Sequence, residues 1–115
     1  ATRLQAFCKE IEAPLICLSQ LSREVEKRNS KIPTMSDLRE SGRIEETAWI
    51  VMLLYRDDYY NPESEKPGEL TVIIGKNKDG CTGEVNLIFN KKSLRIFEPK
   101  LKLERKETES YDTPY

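Results

Sequence analysis

Two patterns alternate along the chain: apolar residues spaced as on one face of a helix, and short apolar runs that stop at polar turns. Leu4, Phe7, Cys8 and Ile11 recur at intervals of three and four, which predicts an amphipathic helix over residues 2–12 packed on a sheet. Pro14 ends it. Residues 15–18 are continuously apolar, as in a central parallel strand buried on both faces. Residues 22–28 read as a short charged helix and 29–34 as a loop broken by Pro33. Ser36 can cap a short helix holding Asp37 to Glu40, because its hydroxyl can accept from first-turn N–H groups, and Gly42 interrupts that helix. Residues 49–55 form a second apolar strand. Asp, Asn, Pro, Glu and Gly crowd residues 57–69, which marks an exposed loop open to disorder. Residues 70–75 and 85–89 are two strands, antiparallel to each other, around a loop at 76–83 whose turn signal is Asp79-Gly80. Residues 94–97 add a last short strand. No internal repeat is visible.

Composition narrows the picture. The 115 residues fit one small core, with a polar, charged tail over residues 99–115 in which Leu101 and Leu103 are the only aliphatics. Charged residues make up 34% of the chain, yet Lys+Arg number 19 against 20 Asp+Glu, a net charge of −1. That balance argues against a general polyanion sponge. It leaves DNA open, because a strand can be held by backbone N–H groups and a few local cations. The three cysteines, Cys8, Cys17 and Cys81, lack metal-ligand spacing and the chain has no His, which suits free thiols in a reducing cytoplasm. No apolar run reaches the roughly 20 residues of a membrane span, and no charged-then-apolar leader is visible.

Several residues could carry chemistry, and each also has a plain structural reading. Gln20 follows the apolar run 15–18, at the carboxyl edge where open α/β folds hold their ligands. It could equally satisfy backbone at a strand end. Residues 36–42 read Ser36-Asp-Leu-Arg-Glu-Ser-Gly42, which alone would make a capping turn with an exposed salt bridge. Arg23, Lys27, Arg28 and Lys31 form a basic run diluted by Glu24 and Glu26, the usual composition of a solvated face. Trp49, Tyr55, Tyr59 and Tyr60 suit core or rim packing more than base stacking. Asp57-Asp58 and Glu45-Glu46 read as solvated carboxylates, and no constellation suggests a metal site or a self-contained catalytic centre.

Taken in order, the strand with Ser19-Gln20-Leu21, the basic helix, Asp37-Leu-Arg-Glu-Ser-Gly42, the strand, and Tyr55-Arg-Asp-Asp-Tyr-Tyr60 closely resemble the DnaB-type hexameric replicative DNA helicases, from about Leu4 to about Phe97. The resemblance implies an α/β fold: the C-terminal portion of a RecA-like (P-loop NTPase) core over residues 1–98, with a mostly parallel sheet and a terminal antiparallel hairpin. It implies a cytoplasmic, ATP-dependent 5′-to-3′ helicase that translocates on single-stranded DNA as a hexameric ring, with a primase or helicase loader as further partner and no membrane. Gln20 then stands where the family reads the γ-phosphate or attacking water. Arg39, Glu40, Ser41 and Gly42 form the DNA-facing loop, holding phosphates largely through main-chain N–H groups. Lys76 and Lys78 stand where the family places a Lys and, two residues on, an Arg that reaches the neighbouring subunit's ATP.

The chain departs from that pattern in ways that matter. A motor needs a glycine-rich loop ending in Gly-Lys-Ser or Gly-Lys-Thr, and the only Gly-Lys pair, Gly75-Lys76, is followed by Asn77. By the resemblance, the ATP loop and the acidic strand that holds Mg²⁺ would lie upstream of Ala1, so the chain alone is expected to be inactive toward ATP. Lys78 keeps a cation's charge without the planar fork of arginine. Asp79 and Cys81 replace Asn and Pro, and Glu46-Thr-Ala-Trp49 replaces Gln-Asp-Ala-Asp. Two other readings therefore stay open: another RecA-like ATPase, and a truncated, non-catalytic interaction or regulatory paralogue.

Overall fold

The computed structural model describes residues 2–38 and 43–99. Helix α1 runs Thr2–Ile11. It stops because Glu12 takes a left-handed φ of 53° and the Ala13 N–H reaches back 3.3 Å to the Cys8 carbonyl, the six-residue closure of a helix C-terminus. The chain is thus already turned out before Pro14. The expected apolar stripe is present but uncovered: Leu4, Phe7 and Ile11 remain 42–49% exposed.

Short elements follow: α2 (Glu24–Lys27), a 3₁₀ turn (Met35–Leu38) and α3 (Ile44–Thr47). Then come β1 (Ile50–Tyr55), α4 (Asp57–Tyr60), β2 (Glu69–Asn77), β3 (Gly83–Asn90) and β4 (Arg95–Phe97). The four strands form one sheet in the order β1-β2-β3-β4, each antiparallel to its neighbour. The expected pairing of residues 70–75 with 85–89 is therefore found, with Val72 opposite Val85 and Leu70 opposite Leu87. Its turn spans residues 77–80, closed by the Gly80 N–H on the Asn77 carbonyl at 3.3 Å, and neither Lys78 nor Asp79 needs positive φ.

Two expectations are corrected. Residues 15–18 form no strand; Ile16 and Leu18 are 83% and 93% exposed, and no parallel pairing occurs among the described residues. Unbroken apolarity signals a demand for burial but does not say which strand supplies the hydrogen bonds. Residues 57–69 are no disordered loop either. Two adjacent carboxylates fasten them: Asp58 accepts from the Gly68 N–H at 2.9 Å, while Asp57 accepts from the Tyr55 hydroxyl at 2.8 Å and from Ser64.

The buried core is small and sits on one face of β1. Val51 and Leu53 alternate inward, while Ile50, Met52 and Leu54 point outward and stay half-exposed. Leu38 of the 3₁₀ turn packs on Val51 and Leu53, with Leu21, Met35, Ala48 and Ile73 around them. Ser36 lies within that turn and does not cap it; the carboxylate of Asp37 folds back instead to accept the N–H of Thr34, the residue before the turn, at 2.7 Å. The segments on either side of residues 39–42 are thereby packed onto the sheet.

Candidate functional site

The β1–β2 ladder slips by one residue, because Val51 faces Lys76 and Met52 faces Ile74, leaving Gly75 as the unpaired residue of a bulge. A bulge reverses the alternation of side chains beyond it. Lys76 therefore shares the inward face with Val51, where its ammonium donates to the carbonyls of Glu45 (3.0 Å) and Glu46 (3.1 Å). These belong to the last turn of α3, whose carbonyls have no intrahelical partner. Gly75 also leaves room for Met35: an added Cβ would lie 2.8 Å from its sulfur. Lys76 is thus committed to the fold.

Lys78 is placed differently. Its N–H continues the ladder by donating to the Trp49 carbonyl at 3.1 Å, and its Nζ stands 4.0 Å from the centre of the Trp49 ring. The indole is fixed at its edge, where Nε1 donates to Asp79 Oδ2 at 2.7 Å. Three of the unusual residues thus meet at one turn. Trp49 sits at the rim, just before β1, half-exposed at 52% and with a cation over its face.

Arg39, Glu40, Ser41 and Gly42 lie outside the described residues. The segment that leads into them is firmly built. Arg28 grips the buried carboxylate of Asp37 with both terminal nitrogens, at 2.8 and 3.1 Å. It also donates to the carbonyls of Ile32 (3.0 Å) and Ser30 (3.3 Å). Lys31 donates to the carbonyls of Glu26 (2.5 Å) and Arg28. The basic run is therefore not simply a solvated face. Hydrogen bonding from Arg28 first, then from Thr34, holds the Asp37 carboxyl below its ordinary range, and the Arg28 guanidinium is correspondingly raised.

Gln20 lies in the unpaired segment before α2 and is exposed, sharing no hydrogen bond with Lys76 or Lys78. The described residues thus unite Lys76, Lys78 and Trp49 at one end of β1 and β2. Among them no cluster of carboxylate, thiol or imidazole groups could hold a metal ion. Asp57 and Asp58 are occupied by the bonds already given, and Asp58 also pairs with Arg56 (3.2 Å) and Lys91 (3.3 Å).

Comparison with known proteins identifies the family. The profile of the DnaB-like helicase C terminal domain matches residues 1–98. The chain belongs to that family.

Among its curated relatives, the replicative DNA helicase DnaB of Geobacillus stearothermophilus is 48% identical over 111 residues, which cover 96% of this chain and 24% of the relative. The replicative DNA helicase DnaC of Bacillus subtilis is 51% identical over 88 residues, 76% of this chain and 19% of the relative. The chain thus spans about a fifth to a quarter of the relatives it matches. One solved ATPase domain superposes with a TM-score of 0.79 at 46% identity, over 83% of this chain and 34% of that one. A DnaB-like replicative helicase studied with its interactions with primase gives 0.78, again at 46% identity, over 83% and 23%. The fold is therefore that of part of a DnaB-like ATPase domain.

Three residues that the sequence left in plain roles hold this family member's frame together. Arg28, Asp37 and Asp58 make buried or half-buried ion pairs, the first joining residues nine apart. One signal could have found Asp37: it lies three residues after Thr34, the spacing at which a carboxylate folds back on an N–H. Among the described residues no helix is long and apolar enough to cross a membrane.

Proposed function

We propose that this chain is the C-terminal part of an ATP-driven replicative DNA helicase that unwinds duplex DNA while translocating 5′ to 3′ on one strand. The observation that carries the reading is that the family match over residues 1–98 takes in Gln20, residues 36–42 and Lys76 to Lys78 in one continuous stretch. ATP is the substrate, and its phosphates and Mg²⁺ need a loop and an acidic strand that this chain does not contain. In the whole protein, residues 15–18 complete a mostly parallel RecA-like sheet. Gln20 senses the γ-phosphate or attacking water, and Arg39, Glu40, Ser41 and Gly42 carry the DNA backbone. The working unit is a cytoplasmic hexameric ring. One solved relative was studied with primase, which makes a primase or a loader a suitable partner.

Lys78 is the trans-acting cation of this reading, at an exposed turn tip and resting on Trp49. Lys76, tied to two carbonyls, supports it from the strand end. A cation here neutralises charge that develops on the transferred phosphoryl group, so it acts on turnover more than on ATP affinity. In the whole helicase with single-stranded DNA, Lys78→Ala should lower kcat at least about tenfold with ATP affinity little changed, and Lys78→Arg should preserve or raise it. Mixed rings locate the effect: Lys78→Ala subunits combined with phosphate-loop-defective subunits should be active only where an intact loop meets an intact lysine. A full rate for Lys78→Ala would end the trans-acting role.

A further inference from the structure

Lysine carries four rotatable side-chain bonds, and an ammonium at a turn tip ordinarily spreads its charge over many positions. Here two neighbouring turn residues hold opposite parts of one ring. Lys78 lies over the Trp49 face with Nζ 4.0 Å from its centre, and Asp79 takes the indole N–H at 2.7 Å. The ring is also tied to the same turn through its backbone, by the Lys78 N–H on the Trp49 carbonyl at 3.1 Å. The turn keeps its own shape through the Asn77 amide, which donates to the Cys81 carbonyl at 3.2 Å, and through the Gly80-to-Asn77 bond. Face, edge and backbone are all engaged, so the ring's plane is fixed and with it the region the ammonium can occupy. We propose that Trp49 is a positioning residue for Lys78, holding its ammonium at the β2–β3 turn for an anionic oxygen of a neighbouring subunit's nucleotide.

This inference rests on Lys78 acting in trans. A flat π face suits the task because it attracts a cation without consuming its N–H donors, leaving all three for phosphate oxygens. A carboxylate in the same place would compete with the phosphate for the same charge. Asp79 meets the indole N–H and not the ammonium, by the contacts above.

The test is DNA-stimulated ATP turnover by the whole helicase. Trp49→Leu removes the π face and should lower kcat about two- to five-fold, the worth of an exposed cation–π contact, with KM for ATP unchanged. Trp49→Phe keeps a face and should stay within about twofold of the parent. Asp79→Ala, at an exposed turn position, frees the indole edge and should give a smaller loss in the same direction. The decisive arm is the Lys78→Ala background, in which neither Trp49→Leu nor Asp79→Ala should cost anything further. An equal loss in that background makes Trp49 merely structural and overturns the proposal. So does a faster Trp49→Leu enzyme, which would make the ring a parking place. If Lys78→Ala is slow while Trp49→Leu and Asp79→Ala run at the parent rate, positioning fails and the trans-acting lysine stands. If Lys78→Ala runs at the full rate, the trans-acting lysine fails and the positioning role falls with it.

Discussion

Arg28 and Asp37 form a two-pronged ion pair across nine residues, with N–O distances of 2.8 and 3.1 Å and the carboxylate only 4% exposed. Around it Asp37 also accepts the Thr34 N–H at 2.7 Å, and its own carbonyl takes the Ser22 N–H at 2.9 Å. One residue therefore ties the approach to α2, the loop after it and the 3₁₀ turn. Leu38, next in the chain, enters the core. The pair fixes the turn that ends at Leu38.

Removing the carboxylate leaves Arg28 and the Thr34 N–H without their partner. Asp37→Ala should destabilise the domain by roughly 1–3 kcal/mol, the usual cost of orphaning buried polar groups. Single-stranded DNA binding by the whole helicase should weaken as well, because the loop entrance loosens. Thermal unfolding measures the first effect and fluorescence anisotropy with a labelled oligonucleotide the second. A variant as stable as the parent would show that the pair is dispensable.

The same carboxylates set the acid limit. Asp37 is held below its ordinary value of 3.8 chiefly by Arg28, Asp58 chiefly by the Gly68 N–H, and Asp57 chiefly by Ser64. For groups depressed on folding, the stabilisation is fully present above their unfolded values and is lost as pH falls through the folded ones. Tyr55 works in the opposite sense. Burial and the bond to Asp57 push it up to about 12 from 10.0, so its contribution holds below pH 10 and is lost as pH rises toward 12. Stability should therefore stay level through neutral pH, fall below about pH 4 and fall again above about pH 10. Denaturant unfolding across pH checks this, and Tyr55→Phe should flatten part of the alkaline fall.

Much of the fold was legible because its signals are local. The 2–12 helix, the strands at 49–55, 70–75 and 85–89, and the Asp79-Gly80 turn follow from spacing and turn chemistry, and the structure departs by only a residue or two at most ends. Residues 15–18 take no strand in this chain because their apolarity signals burial and does not name the strand they would pair with. Residues 57–69 were misread because Asp57 and Asp58 are loop-forming by composition yet anchor the loop by bonding. At the site, the contacts of Lys76 and Trp49 could not be read at all. The bulge at Gly75 decides which face Lys76 takes, and Trp49 meets residues 29 and 30 positions away, Lys78 and Asp79. Such contacts exist only once the strands have paired.

The outward face of β1 bears on behaviour outside the whole protein. Ile50, Met52 and Leu54 are 50–59% exposed, with Ile16 and Leu18 more open still. A contiguous apolar face of this kind seeks cover. The isolated chain should self-associate, with an average mass by light scattering that rises with concentration. Met52→Lys, at an exposed position, should reduce the association without unfolding the sheet. A mass that stays monomeric at high concentration would contradict this.

Gln20 and the residues 39–42 stand in two different segments of the chain, and their proposed tasks differ in kind. Gln20 is exposed and free of hydrogen bonds to the lysines at the strand end, as a sensor awaiting a phosphate or water would be. Its removal should slow turnover, because an oriented amide contributes by positioning the attacking water. DNA affinity should be unaffected. Arg39→Ala, or a bulky residue at Gly42, should do the reverse: the first takes away a cation, and the second crowds a close approach between backbone and phosphate. Single-stranded DNA binding should weaken several-fold while nucleotide binding stays nearly intact, and the salt dependence should become shallower for Arg39→Ala, with the logarithmic slope dropping by about 0.7. The two sites are thus separable in the whole helicase by four measurements: ATP affinity, turnover, DNA affinity and its salt slope. If Gln20→Ala and Arg39→Ala damaged the same one of these equally, a single shared site would have to replace the two.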